Sequence, residues 1–176
     1  KHVAGEAKGV HYLLELLNRG HVVWALFRDR ERRAAVASFL QERSGQPTPG
    51  PLRWLEGDVT AIDRSWPQWE RQYPELRDVD HLLHSAASLR FYAHADGEPF
   101  RSNVGGAEAL TRLVAIRPLQ VHLVSTAYVC GLVTAGRVRE VNHPRGHFVN
   151  AYEESKWEAA QIWAGRATIL RPGVIV

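Results

Sequence analysis

Strand-length apolar runs that alternate with helix-spaced segments constrain this chain more than any other feature. Residues 22–27 read Val-Val-Trp-Ala-Leu-Phe without a polar break, the pattern of a strand covered on both faces. More mixed runs of strand length follow at 52–60, breaking at Gly57, at 79–87, at 121–125 and at 167–170. Between them, apolar residues recur three and four positions apart, the period of a helix with one buried face. Strand and helix in alternation predict an α/β fold with a doubly wound parallel sheet, because parallel neighbours need a crossover and a helix supplies it.

The helical segments are readable one by one. Val10, Leu13, Leu14 and Leu17 share a face, and Gly20 stops the helix as a C-terminal glycine does. A second helix is expected over 34–42, ended by the Pro- and Gly-rich stretch 44–51. Trp66, Trp69 and Tyr73 recur at helical spacing within 62–77 and are expected to pack rather than to stack on bases. A polar, irregular loop is expected over 88–99, then a helix over 100–114. The Gly-, Arg-, His- and Pro-rich stretch 131–147 is expected over the active site, and the last helix over 148–163.

At 176 residues, 45% of them hydrophobic and 23% charged, the chain can bury one substantial core and is expected to form one domain, 1–176. A formal charge of +3, with Lys and Arg dispersed apart from the cluster at 28–33, gives no basic stripe, so no nucleic-acid partner is expected. Cys130 is the single cysteine; it excludes an intrachain disulfide and a cysteine-built zinc site, and no metal is expected. No apolar run approaches the ~20 residues of a membrane span and no signal peptide opens the chain, so a cytoplasmic protein without a membrane partner is expected. Met is absent even at position 1, and the natural start is expected upstream.

Chemistry concentrates at Tyr152-Glu153-Glu154-Ser155-Lys156. Four residues make about one helical turn, so the Tyr152 phenol and the Lys156 ammonium share a face. A phenol with a pKa of about 10 is a poor acid or base at neutral pH, and a fixed cation beside it favours the phenolate and lowers that pKa. Upstream, the run Val121-His122-Leu123-Val124 ends in Ser125 and Thr126. A hydroxyl at the carboxyl end of a strand could donate to a substrate oxygen beside the phenol. Exposed Tyr and Lys at this spacing also occur on ordinary amphipathic helices; the order of the two motifs is what separates the readings.

A strand-end hydroxyl followed by Tyr-x-x-x-Lys resembles the short-chain dehydrogenase/reductase superfamily. Ser125-Thr126-Ala127-Tyr128-Val129-Cys130-Gly131 and Tyr152-Glu153-Glu154-Ser155-Lys156-Trp157-Glu158-Ala159 resemble its extended branch, especially the thioester-reductase and fatty-acyl-reductase-like members related to NAD-dependent epimerases and dehydratases. The resemblance implies a Rossmann-like domain and hydride transfer from NADPH to a carbonyl or carrier-bound thioester carbon. In it Tyr152 is the proton donor, Lys156 lowers its pKa and binds the nicotinamide ribose, and Thr126 orients the carbonyl oxygen, with Ser125 as its alternative.

The cofactor residues follow the same resemblance. Gly9 aligns with the third glycine of a pyrophosphate-binding turn, whereas the first two positions fall on Val3 and Glu6, a departure from the pattern that sets a carboxylate where a pyrophosphate belongs. Arg28, after the first readable strand, suits the 2′-phosphate of NADP, while the neighbouring Asp29 keeps NAD open. Glu56-Gly57-Asp58-Val59-Thr60 resembles an adenine contact made by Asp58 and Val59. His84-Ser85-Ala86-Ala87 resembles the turn that lets backbone approach the nicotinamide-side ribose and phosphates, and Pro172 follows the last strand on the same side. Asn103, ahead of Val104-Gly105-Gly106, resembles the Asn that steadies the catalytic region, or else caps a helix.

Family members normally continue for on the order of a hundred residues or more into a substrate-binding region, and a domain of this size has no room for one. The chain thus looks like the cofactor-binding part of a larger enzyme. Three readings compete: an NADPH-dependent reductase of small-molecule carbonyls or carrier-protein-bound thioesters, a nucleotide-sugar epimerase or dehydratase that keeps NAD bound, and a catalytically silent dinucleotide-binding module. Arg28 and the Glu-Glu-Ser-Lys-Trp-Glu context favour the first; Val3 and Glu6 favour the third.

Overall fold

The structure, a computed structural model, describes residues 7–44 and 50–173; Val3 and Glu6 lie outside the described residues. The described chain runs α1 (Ala7–Asn18), β1 (Val23–Phe27), α2 (Arg30–Ser44), β2 (Leu52–Glu56), α3 (Ile62–Gln72), β3 (His81–His84), α4 (Phe100–Ile116), β4 (Gln120–Val124), α5 (Ala151–Ile162) and β5 (Thr168–Leu170), with 3₁₀ turns at Val59–Ala61, Pro74–Asp78 and Ala127–Cys130. Strands alternate with helices and every strand pairing is parallel, the α/β architecture that the sequence predicts. The chain divides into two compact units, meeting in sequence between Asp58 and Val59.

In the first unit, β1 and β2 pair from Val23↔Leu52 to Phe27↔Glu56. At the end of α1, Gly20 has φ of 81°, and its amide donates to the Leu17 carbonyl at 2.9 Å while the His21 amide donates to that of Leu16 at 3.1 Å. That is the paired closure of a left-handed glycine cap, which only a residue without a Cβ adopts cheaply. Helix α2 begins at Arg30 rather than Ala34, because the Asp29 carboxylate accepts from the Glu31 amide at 2.8 Å and caps four residues earlier than the apolar spacing shows.

In the second unit, β3, β4 and β5 pair in that order, with His84↔Leu123 and Val124↔Leu170 at their carboxyl ends. Among the described residues no strand precedes α1. Helix α3 buries Trp66 and Trp69, as expected, but stops at Gln72: Tyr73 precedes Pro74, which pushes it out of helical geometry. Helix α4 buries Asn103, Gly106, Ala107, Leu110 and Leu113 and packs against α3 and α5. The Trp163 indole closes the far end of α5 by donating to the Ala107 carbonyl at 3.2 Å.

Helix α5 starts at Ala151, three residues later than the sequence predicts. Asn150 accepts from the Glu153 amide at 3.0 Å while the Glu153 carboxylate accepts from the Val149 amide at 3.1 Å, a reciprocal closure of the helix start. Among the described residues no helix is long and apolar enough to cross a membrane.

Candidate active site

Parallel strands end their carboxyl termini on one edge, and loops there are where open α/β sheets place ligands. In the second unit this edge carries His84 at the end of β3, Ser125 and Thr126 after β4, and Pro172 after β5. The Pro172 carbonyl accepts from the Ala127 amide at 3.1 Å, and the Leu170 carbonyl from the Ser125 amide at 2.7 Å, so the two strand ends are laced together. Lys156 ties α5 to the same edge. Its side chain is only 3% exposed, and Nζ donates to the Val124 carbonyl at 2.7 Å. A buried ammonium is costly unless its protons find acceptors, and here a strand-end carbonyl is one.

Tyr152 lies one turn before Lys156, half-buried, its ring edge-on to Phe91 at 6.2 Å between centroids. Burial first, and the Glu153 carboxylate second, raise its pKa above the usual 10.0. This is opposite to the lowering that the sequence predicts from Lys156: the helical spacing is as expected, but the ammonium is directed at Val124 and the residue next to the phenol is an acid. The phenol therefore stays protonated over the neutral range, which is the form a proton donor needs. Thr126 is buried and extended, and its hydroxyl oxygen accepts from the Tyr128 amide at 3.4 Å, a long contact that leaves the hydroxyl proton available to donate. Ser125 Oγ is buried and has no hydrogen-bond partner among the described residues.

His84 is buried, and its pKa falls from 6.5 to about 3, through desolvation first and the positive charge of Lys156 second. It is a neutral imidazole at any physiological pH. Ala86 and Ala87 follow in an irregular, exposed segment, where small side chains leave the backbone open to a ligand. Val59 opens the 3₁₀ turn facing Gly106 of α4, where an added Cβ would come within 3.1 Å of Val59 Cγ1 and 3.8 Å of His84 Cε1; glycine there lets α4 approach both.

Asn103 is not a helix cap. It lies in the first turn of α4, 1% exposed; its Oδ1 accepts from the Ser88 amide at 2.8 Å, and its Nδ2 donates to the Ser88 carbonyl at 3.1 Å and to Ser155 Oγ at 2.9 Å. Ser155, Phe91 and Glu98 were not legible as site residues. Ser155 stands inside the Tyr-Lys motif, where its burial could have been read from helical phase. The contact of Phe91 with Tyr152 depends on a loop path that no periodicity encodes. The stretch 131–147 is tied to α5: the Trp157 indole donates to the His143 carbonyl at 2.9 Å, and Gln161 pairs with Asn142. Gly131 begins it with φ of 72°, where a Cβ would press on the His147 carbonyl at 2.8 Å.

In the first unit, Gly9 lies within α1. Arg28 and Asp58, which the sequence assigns separately to the 2′-phosphate and the adenine, face each other: Arg28 Nη1 meets Asp58 Oδ2 at 3.3 Å, with side chains 60% and 35% exposed. Among the described residues no group of three or more His, Cys, Asp or Glu side chains could hold a metal.

A family of NAD-binding domains described as male sterility protein matches residues 9–176. Among solved structures, the terminal R domain from the myxalamid PKS-NRPS biosynthetic pathway superposes with a TM-score of 0.74 at 25% identity, over 94% of this chain and 45% of that one. UDP-glucose 4-epimerase from Bifidobacterium longum, in complex with NAD+ and UDP, gives 0.68 at 22% identity, over 94% of this chain and 50% of that one. UDP-glucose-4-epimerase from Stenotrophomonas maltophila, with bound NAD, gives 0.68 at 21% identity, over 89% and 44%. This chain thus spans about half the length of the structures it resembles, and the two epimerases speak for the fold alone. No curated protein sequence matches it.

Proposed function

The chain belongs to the male sterility protein family, and on that premise we propose that it is the dinucleotide-binding part of a cytoplasmic NADPH-dependent reductase of small-molecule carbonyls or carrier-protein-bound thioesters. The observation that carries the reading is the buried Lys156, held by the Val124 carbonyl one turn from a protonated, half-buried Tyr152 on the carboxyl edge of β4. The likeness to a reductase domain supports it. An unpartnered buried hydroxyl on the same edge, Ser125 Oγ, supports a ligand there, because a buried hydroxyl left alone costs about 1–3 kcal/mol.

When bound, a reduced nicotinamide would supply the hydride for the carbonyl carbon. Tyr152 gives its proton to the carbonyl oxygen as negative charge develops there, and Thr126 donates its hydroxyl proton to the same oxygen. Lys156 holds the edge of β4 in place through the Val124 carbonyl, one helical turn from Tyr152. Neutral His84 adds no second cation that would repel its ammonium. On a thioester, the tetrahedral product releases thiol and leaves an aldehyde, so one reduced cofactor is consumed for each aldehyde formed.

The test is stoichiometry in the full-length enzyme. One reduced nicotinamide oxidised per aldehyde formed from a thioester, or per alcohol formed from a carbonyl substrate, with deuterium from the cofactor C4 position found on the product carbon, supports the reductase. Turnover of a nucleotide sugar with no net cofactor consumption would instead support the epimerase reading, which the NAD-bound epimerase structures keep in view.

A further inference from the structure

The irregular segment 88–99 is tied to α4 and α5 by a chain of hydrogen bonds. Its start is held by Asn103, whose amide brackets Ser88 through both the amide and the carbonyl of that residue. The same Asn103 side chain donates to Ser155 Oγ, and Ser155 in turn donates to the Tyr152 carbonyl at 2.8 Å. The middle of the segment is held directly: the Ala151 amide donates to the Phe91 carbonyl at 2.8 Å. Its far end is held by Glu98, whose buried carboxylate accepts from Arg101 at 2.9 Å and from Ser102 at 2.5 Å.

Ser155 is 0% exposed and Asn103 1%, whereas Phe91 is 58% exposed. That ring meets the Tyr152 phenol edge-on at an interplanar angle of 71°. The relay ends on the Tyr152 carbonyl, the Phe91 carbonyl accepts from the neighbouring Ala151 amide, and the two ties together place an exposed aromatic in contact with the proton donor. If the relay's task were only to fill the core, an apolar pair would serve as well at lower desolvation cost.

We infer that Phe91 is a substrate-contacting residue: with Ser155 as a positioning residue that helps to seat the 88–99 segment, the Phe91 ring forms a wall beside Tyr152 and meets the substrate presented there. The inference rests on the reading of Tyr152 as proton donor. Leu89 and Tyr92 are exposed on either side of Phe91 and extend the wall with apolar surface.

The test uses the full-length enzyme and three variants. Ser155→Ala removes one hydroxyl from the relay. Exchange of the Ser88 and Ala151 amides should then quicken about fivefold, the equivalent of one net hydrogen bond, while amides in the middle of α4 keep wild-type protection. Its kcat should fall about tenfold, as a misplaced acid-base group implies, with cofactor Kd within about twofold. Phe91→Ala, at an exposed position that does not threaten folding, should raise KM for substrate about tenfold, the cost of a lost aromatic contact, and Phe91→Tyr should restore it. Uniform quickening of exchange across α4 and α5, or a Phe91→Ala enzyme with unchanged kcat/KM, would overturn the inference. Tyr152→Phe in the same assay keeps the two claims apart: undiminished turnover defeats the proton-donor reading, whereas the exchange at Ser88 and Ala151 still decides whether the relay holds the segment.

Discussion

Cofactor choice turns on the pair Arg28–Asp58. The two side chains meet at 3.3 Å with exposures of 60% and 35%, and ion pairs that open to water contribute about 0–1 kcal/mol. Releasing Arg28 from Asp58 therefore costs little. A guanidinium that turns to a 2′-phosphate gains a charge-assisted contact of about 1.5–3 kcal/mol. The difference, about 0.5–3 kcal/mol, corresponds to a roughly 2- to 150-fold preference for NADPH over NADH. Titration of the full-length enzyme with each reduced cofactor, followed by nicotinamide fluorescence, measures it. Arg28→Ala should bring the two affinities together, mainly by weakening NADPH. Equal affinities in the wild type, or a preference that survives Arg28→Ala, would refute the reasoning and leave the NAD reading that Asp29 keeps open.

Lys156→Ala should lower turnover and cofactor affinity together, since it removes the buried cation of the site and the donor to the Val124 carbonyl; a loss confined to thermal stability would show a purely structural lysine. His84 refuses in the folded state a proton that the unfolded chain binds below about 6.5. Its contribution to stability is full above that pH and is lost progressively as pH falls toward about 3, at a slope of at most about 1.4 kcal/mol per pH unit. Denaturant titrations from pH 7 to 4 should show that slope, and His84→Gln should flatten it; an equally steep acid limb in the variant would place the titration elsewhere. Glu98 acts with the same sign at lower pH. Burial works to raise its pKa, and the hydrogen bonds from Ser102, Arg101 and Ser88 outweigh that and lower it below 4.5, so protection of the Ser88 amide should hold at neutral pH and fade only as pH drops below about 4.5.

Much of the fold was legible because the signals were local. The apolar run at 22–27, the helical phase of Val10, Leu13, Leu14 and Leu17, and Gly20 all act within a few residues, and the structure follows them in β1, α1 and its glycine cap. Boundaries moved where a polar side chain intervened: Asp29 draws α2 forward to Arg30, and the exchange between Asn150 and Glu153 delays α5 to Ala151. The spacing of Tyr152 and Lys156 was legible, but the pKa of the phenol was not, because it depends on burial and on the direction in which the Lys156 ammonium points. Likewise Arg28 and Asp58 were readable as separate contacts, and their pairing arises from strand register, with Phe27 opposite Glu56, thirty residues apart in sequence. Asn103 invited a helix-cap reading because its partners, Ser88 and Ser155, lie fifteen and fifty-two residues away.

The central claim, that Tyr152 gives the proton in a nicotinamide-dependent reduction, is tested most directly by single-turnover oxidation of bound reduced cofactor in the full-length Tyr152→Phe enzyme. The ring that packs on Phe91 remains and only the acidic hydroxyl is lost, so cofactor Kd and thermal unfolding should stay near wild type. The rate should fall by at least the ~10²-fold that a positioned acid-base group contributes. A variant that keeps more than about a tenth of the wild-type rate, a loss well short of that contribution, would contradict the account.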